Sequence, residues 1–167
     1  ASSPGARGLA VSVIIPCLNE ELSVARCVEQ ALEGLANAGV EGEVIVADNG
    51  STDRSVDLAT AAGARVVAES QRGKGHATRT GIRAAAGEYI ILADADGTYD
   101  LRHLKPLIDP LSEGYDMVVG NRLKGEIAEN AMPRLHRYLG NPLIGGFISL
   151  VAGRRFVMAE KEVPPIT

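Results

Sequence analysis

Short unbroken apolar runs alternate with longer stretches in which apolar residues recur at helical spacing, and this alternation continues through the first 120 residues or so. Ala10 to Pro16 is continuous, rich in Val and Ile and bounded by Pro16, the pattern of a strand covered on both faces. From Glu20 to Ala38, Leu22, Val24, Ala25, Val28, Ala31, Leu32, Leu35 and Ala36 fall three and four apart, which predicts a helix capped by Asn19 and stopped by Gly39. Glu43 to Ala47 reads as a second buried strand, Asp48 to Thr52 as a turn, Asp53 to Ala62 as a helix and Ala64 to Ala68 as a third strand. His76 to Ala86 reads as a helix despite Gly81, followed by a fourth strand over Glu88 to Ala93. Leu101 to Glu113 reads as a helix interrupted near Pro106 and Pro110, and Tyr115 to Val119 as a fifth strand. The expected fold class is therefore α/β: a mostly parallel sheet flanked by crossover helices.

No repeat, low-complexity tract or linker divides the 167 residues, so a single domain is expected, with residues 1–9 as a flexible leader and residues 153–167 as a divergent tail. The leader lacks the basic segment and apolar run of a secretory signal. With 4% aromatics and no Trp, the core must be built from Val, Ile, Leu and Ala. A net charge of -4 gives no broad basic footprint, which argues against nucleic acid as a partner and calls for a metal wherever phosphates bind. Cys17 and Cys27 do not have metal-finger spacing and are expected as buried free thiols of a reducing cytosol. The longest uncharged apolar stretch, Leu139 to Gly153, is shorter than the roughly 20 residues a bilayer demands and is broken by Pro142 and several glycines, so it is suited to lying on a membrane rather than crossing it.

The chemistry concentrates where strands end. Ile90-Ile91-Leu92-Ala93 runs directly into Asp94-Ala95-Asp96, and residues two apart on a strand point the same way, so the two carboxylates can serve one site. Paired carboxylates repel unless a cation lies between them, and hard oxygens suit Mg²⁺ or Mn²⁺, which complete their shells with water and phosphate oxygens. The bland alternative is a strand ending in a polar turn. Asp48-Asn49-Gly50-Ser51-Thr52-Asp53 has two readings as well, a turn with a helix cap or a place where Asp48 accepts hydrogen bonds from a base or ribose. Arg72-Gly73-Lys74-Gly75-His76 is neither a Walker loop nor a dinucleotide fingerprint; it is a flexible basic loop or a cradle for diphosphate oxygens. In an open parallel sheet, ligands bind beyond the carboxyl ends of the strands. Asn19 and Glu20, the Asp48 cluster, the Arg72 loop and Asp94 with Asp96 all follow strands, so all should fall on that one edge. Farther on, Arg122, Lys124, Arg134, His136 and Arg137 precede the apolar stretch, either as a solvated basic face or as a rim for a phosphate head with a lipid tail.

Taken in order, Val13-Ile14-Ile15-Pro16-Cys17-Leu18-Asn19-Glu20-Glu21, Val46-Ala47-Asp48-Asn49-Gly50-Ser51-Thr52-Asp53, Arg72-Gly73-Lys74-Gly75 and Ala93-Asp94-Ala95-Asp96-Gly97-Thr98-Tyr99 resemble the family 2 glycosyltransferases of GT-A fold. The resemblance spans about Ala10 to Gly146. Gly120-Asn121-Arg122 and Met132 to Asn141 are similar to the branch containing dolichyl-phosphate mannose and polyprenyl-phosphate glucose synthases. It implies a GT-A domain over residues 10–152, a nucleotide-sugar donor of UDP-glucose or GDP-mannose type, Mg²⁺ or Mn²⁺, inversion at the anomeric carbon, and a lipid-phosphate acceptor at the cytoplasmic face of a membrane. Residue by residue, it places Pro16, Asn19, Glu20 and Asp48 around the nucleoside, Lys74 near the diphosphate, and Asp94, Ala95 and Asp96 at the metal and diphosphate, the two aspartates as metal ligands. It assigns catalytic roles to Asp94, Asp96 and Arg122, and matches Arg122, Arg134 and His136 to acceptor-phosphate positions. Beyond about Val151 the chain departs from the branch, as a truncated or altered end would, so transfer by the chain as it stands is expected to be weak or absent. Two other classes remain: a nucleotide-sugar-binding module without transfer, and a nucleotidyltransferase, which would place its Gly-rich basic loop directly after the first strand.

Overall fold

The computed structural model describes residues 11–120 and the strand at 156–159. They fall into two compact units, one reaching Lys105 and the other beginning at Pro106. The boundary lies within the first two residues of a helix rather than in a Pro/Gly-rich linker, so no composition shift marks it in the sequence.

In the first unit, β1 (Val11–Cys17), α1 (Val24–Ala38), β2 (Gly42–Asp48), α2 (Ser55–Ala61), β3 (Arg65–Ala68), α3 (Lys74–Ala84) and β4 (Tyr89–Leu92) follow one another in strict alternation. The sheet has the order β3-β2-β1-β4, and every pairing is parallel. Val13 lies between Val44 and Ile91, and Ile14 between Ile45 and Leu92. β1 and β2 form the centre, with Val11, Val13, Ile14, Ile15, Val44, Ile45, Val46 and Ala47 buried, because helices cover the sheet on both faces. Each such fully buried branched side chain contributes about 1.5–3 kcal/mol. α1 supplies Val24, Cys27, Val28, Ala31 and Leu35 to this core, and Gly39 ends it in the left-handed conformation at φ 70°.

Two expectations at the start of α1 give way. Leu22, placed on the apolar face by its spacing, is 97% exposed, because Glu21 to Ser23 form a turn and the helix begins at Val24. Asn19 does not cap α1. It adopts a positive φ of 57°, which Asn tolerates, and its Oδ1 accepts from the amide of Thr52 at 2.8 Å. The competing partner is the loop after β2, whose orphan amides capture the side chain. α3 starts two residues earlier than its spacing predicts, at Lys74, since Gly73 takes φ 130° and turns the chain into the helix there. Gly81 fits inside α3 because the helix rests on β1: a Cβ there would meet Ile14 Cγ2 at 2.4 Å.

In the second unit, α4 (Lys105–Ser112) carries Pro106 in its first turn, where a missing N–H costs nothing, and Pro110 inside it. β5 (Met117–Gly120) pairs in parallel with β6 (Phe156–Ala159) in a separate two-stranded sheet. β5 is the fifth strand that the sequence pattern predicts, whereas the pattern gave no element to the region of β6, because a four-residue strand carries too little periodicity to show itself. Residues 1–10, 121–155 and 160–167 lie outside the described residues.

Candidate active site

Parallel pairing puts the carboxyl ends of all four strands on one edge, and the cleft lies there. β1 has β2 on one side and β4 on the other, so the chain's winding reverses at β1, the place where such sheets bind ligands. A cleft of about 230 Å³ opens at that point. Pro16, Cys17, Leu18 and Glu20 come from the end of β1, Asn49 from the end of β2, Arg72, Gly73, Lys74 and Ala77 from the start of α3, and Asp94, Ala95 and Asp96 from the end of β4.

The Asp94–Gly97 segment is fixed from beneath by β1 and α1. The amide of Ala93 donates to the Ile14 carbonyl at 3.0 Å, the Cys27 thiol to the Ala95 carbonyl at 3.4 Å, and Arg26 Nη2 to the Gly97 carbonyl at 3.3 Å. Thr98 donates its amide to Asp96 Oδ1 at 2.9 Å. Hydrogen bonds from the Thr98 side chain and amide, with the Lys74 charge behind them, hold the Asp96 carboxyl below its ordinary value, so it is ionised at neutral pH.

The basic loop is fixed by Asn49. This buried side chain donates through Nδ2 to the carbonyls of Glu69 (3.0 Å) and Gln71 (2.8 Å) and accepts through Oδ1 from the amide of Gly73 at 2.7 Å. Gly73 leads directly into Lys74, whose Nζ lies 2.5 Å from Asp94 Oδ1. The two elements that the sequence marked separately, the basic loop and the aspartate pair, thus meet across the cleft. His76 hydrogen-bonds rather than facing the cleft: Arg79 Nη2 lies 3.2 Å from its Nδ1.

The loops after β1 and β2 are stitched to each other. Asn19 donates its amide to Ser51 Oγ at 2.9 Å, Glu20 to Ser55 Oγ at 2.8 Å and Glu21 to Asp53 Oδ2 at 3.2 Å, while Glu21 Oε2 accepts from the Arg54 amide. Asp48 is buried, and its oxygens accept from the amides of Gly50 and Ser51 at 3.1–3.2 Å. A carboxylate has about four lone-pair sites, so the two amides that close this turn leave Asp48 room for a further donor. Cys17 and Cys27 are free and buried as expected; burial pushes both thiols up, so they stay protonated.

Of the residues singled out in the sequence, Pro16, Glu20, Lys74, Asp94, Ala95 and Asp96 line the cleft, whereas Asn19 and Asp48 brace the loops beside it. Arg122, Arg134 and His136 lie outside the described residues. Sequence reasoning missed Asn49 as the anchor of the basic loop and Arg26 and Cys27 as anchors of the aspartate segment. Their partners lie 20 to 71 residues away, beyond any local spacing.

Asp94 and Asp96 offer hard oxygens suited to Mg²⁺ or Mn²⁺, and the Lys74 ammonium on Asp94 already stands where a cation is wanted. Among the described residues no group of three His, Cys, Asp or Glu side chains converges on a metal position. A metal here would have two protein ligands and depend on water and ligand oxygens for the rest.

The sequence profile of glycosyl transferase family 2 matches residues 12–160. The chain belongs to this family. It is 40% identical over 144 residues to the low-salt glycan biosynthesis hexosyltransferase Agl6 of Haloferax volcanii, covering 86% of this chain and 35% of that protein. It is 32% identical over 147 residues to the dolichyl-phosphate hexose transferase of the same organism, covering 86% of this chain and 60% of that one. Among solved structures, glucosyl-3-phosphoglycerate synthase of Mycobacterium tuberculosis, crystallised with Mn²⁺, UDP-glucose and phosphoglyceric acid, superposes with a TM-score of 0.61 at 27% identity over 83% of this chain and 50% of that chain. The same enzyme has been crystallised with Mg²⁺ and UDP. The family 2 chain thus has the GT-A fold, and it spans only part of the length of each of these relatives.

Proposed function

We propose that this chain carries the donor site of a metal-dependent, inverting glycosyltransferase that moves a hexose from a UDP- or GDP-linked sugar to a polyprenyl or dolichyl phosphate. The observation that carries the reading is the meeting of Lys74 with Asp94 across a cleft at the carboxyl edge of the sheet, where β1 separates β2 from β4. Support for the donor and metal comes from the UDP-glucose and Mn²⁺ in the similar synthase, and support for the acceptor from the dolichyl-phosphate relative.

In this reading the nucleoside lies along the end of β1, near Pro16 and Glu20, and the diphosphate against the loop from Arg72 to Gly75. Asp94 and Asp96 would hold a divalent ion, which would supply positive charge against that building on the departing nucleoside diphosphate. Lys74 binds the diphosphate from the other side, and the Gly73 amide stays with Asn49, so the loop keeps its shape. An ionised acceptor phosphate attacks from the face opposite the leaving group and needs no base to remove a proton. Arg122, Arg134 and His136 are proposed for that acceptor. No helix among the described residues is long and apolar enough to cross a membrane.

The test is a panel of nucleotide sugars titrated with and without Mn²⁺, in the presence of a short-chain polyprenyl phosphate. Metal-dependent donor binding with slow release of UDP or GDP that requires both metal and lipid phosphate is the expected result. Donor binding without release would make the chain a binding module, and pyrophosphate release would make it a nucleotidyltransferase.

A further inference from the structure

We propose that Lys74 is an internal counter-ion that occupies the cation position on Asp94 and yields it to a metal only when a diphosphate draws the ammonium away. Metal and nucleotide would then bind as a coupled pair, each weakly without the other. The proposal rests on the reading of Asp94 and Asp96 as metal carboxylates.

The backbone on both sides brings the two residues within reach of each other. Lys74 is the first residue of α3, set directly after Gly73, whose amide is held by Asn49. Asp94 is flanked by Ala93, bonded to the Ile14 carbonyl, and Ala95, bonded to the Cys27 thiol. Between these fixed points the ammonium and the carboxylate oxygen come to 2.5 Å. The side chains differ in freedom: Asp94 is 31% exposed and short, whereas Lys74 is 67% exposed on a four-carbon stem that can turn to another partner.

An ammonium and a dication on one carboxylate repel each other at close range, so Lys74 on Asp94 Oδ1 weakens the hold of Asp94 on a metal. A metal arriving alone therefore either displaces Lys74, leaving it unpaired, or binds against its charge. A diphosphate removes that cost by offering the ammonium oxygens of higher charge density. Linkage makes the effect reciprocal: what the diphosphate does for the metal, the metal does for the diphosphate by the same factor. A lysine that served only to bind diphosphate would have no influence on metal taken up alone, so the two roles predict different results for the charge-removing variant.

Mn²⁺ alone is titrated against the full chain, with free Mn²⁺ followed by electron paramagnetic resonance, for wild type, Lys74→Met, Lys74→Arg and Asp94→Asn. Lys74→Met is expected to bind Mn²⁺ alone roughly fivefold tighter than wild type, the scale of an exposed ion pair, and to bind UDP or GDP alone more weakly. Lys74→Arg retains the wild-type Mn²⁺ affinity, and Asp94→Asn loses the site. The factor by which nucleotide tightens Mn²⁺ binding shrinks in Lys74→Met. Lys74→Met binding Mn²⁺ alone no better than wild type overturns the proposal while leaving the donor site standing. Absence of any Asp94-dependent Mn²⁺ binding in wild type, even with UDP or GDP present, overturns both.

Discussion

The amide of Gly73 donates to Oδ1 of Asn49 at 2.7 Å, a bond that joins the end of β2 to the first turn of α3 across 24 residues of sequence. With both hydrogens of Nδ2 committed to the carbonyls of Glu69 and Gln71, the one side chain sets the path of the whole basic loop. Asn49→Ala leaves three backbone groups to find water instead. The expected result is a loss of about 1–2 kcal/mol in a urea melt, as for removal of one partner from part-buried hydrogen bonds. Nucleotide affinity should fall by about tenfold in addition, because Lys74 is no longer held toward Asp94. A variant that melts earlier but binds UDP or GDP as wild type does would show that Asn49 supports the fold without positioning the site.

Gly81 tests how closely α3 rests on the sheet. Alanine is about 1 kcal/mol better than glycine inside a helix, so propensity alone predicts that Gly81→Ala stabilises. The added Cβ would, however, sit 2.4 Å from Cγ2 of the fully buried Ile14. Overpacking of this kind costs typically about 1–3 kcal/mol and outweighs the helical gain. Gly81→Ala should lower the unfolding midpoint, and pairing it with Ile14→Val should restore part of the loss. A midpoint raised by the single change would mean that α3 has room to lift off β1.

These two positions also show what a sequence discloses. Val13 to Ile15 and Val44 to Val46 announce themselves as buried parallel strands because helices cover both their faces, leaving no polar position to interrupt the run. Parallel strands joined by helices then force all carboxyl ends to one edge, so the meeting of Lys74 with Asp94 was foreshadowed before any coordinate. Asn49 was not: an Asn in an Asp-Asn-Gly turn looks the same whether it closes the turn or reaches 20 residues onward. Asn19 misled for a related reason, since a capping residue and a loop-bridging residue share one chemistry and only the third dimension chooses between Val24 and Thr52 as neighbour.

Asp100 gives the fold an acid sensitivity with a defined direction. Its side chain is 5% exposed and accepts from Arg102 through Nε at 2.8 Å, Nη2 at 2.6 Å and the backbone amide at 3.1 Å. The Arg102 side-chain hydrogen bonds, ahead of its amide and its charge, hold the Asp100 carboxyl below its ordinary value against the push of burial. A carboxyl lowered on folding stabilises the native state fully above its unfolded value of about 3.9 and loses that contribution as pH falls through the folded value. Urea midpoints of wild type and Asp100→Asn should therefore differ by a constant amount from pH 7 to about pH 5 and begin to converge only below about pH 4. A difference that persists unchanged down to pH 2 would assign the loss to packing rather than to the charge.

Asp96 separates the site from the fold most cleanly. It is exposed, follows the last residue of β4 by four positions, and among its bonds is the one from the Thr98 amide at 2.9 Å. Its removal empties no part of the core, so Asp96→Ala should shift stability by no more than about 1 kcal/mol. Its effect on donor binding should be of another order. Losing a group that merely orients a metal ligand costs 10- to 100-fold in affinity, so losing one of two protein ligands should cost more than about 100-fold in the Mn²⁺-dependent part of nucleotide-sugar binding. The Mn²⁺-independent part, which depends on Lys74 and the loop it leads from, should remain. Calorimetric titration of donor with and without Mn²⁺ reads the two parts separately. Equal Mn²⁺-dependent affinity in Asp96→Ala and wild type would remove Asp96 from the metal's ligands and, with it, the electrostatic basis proposed for leaving-group departure.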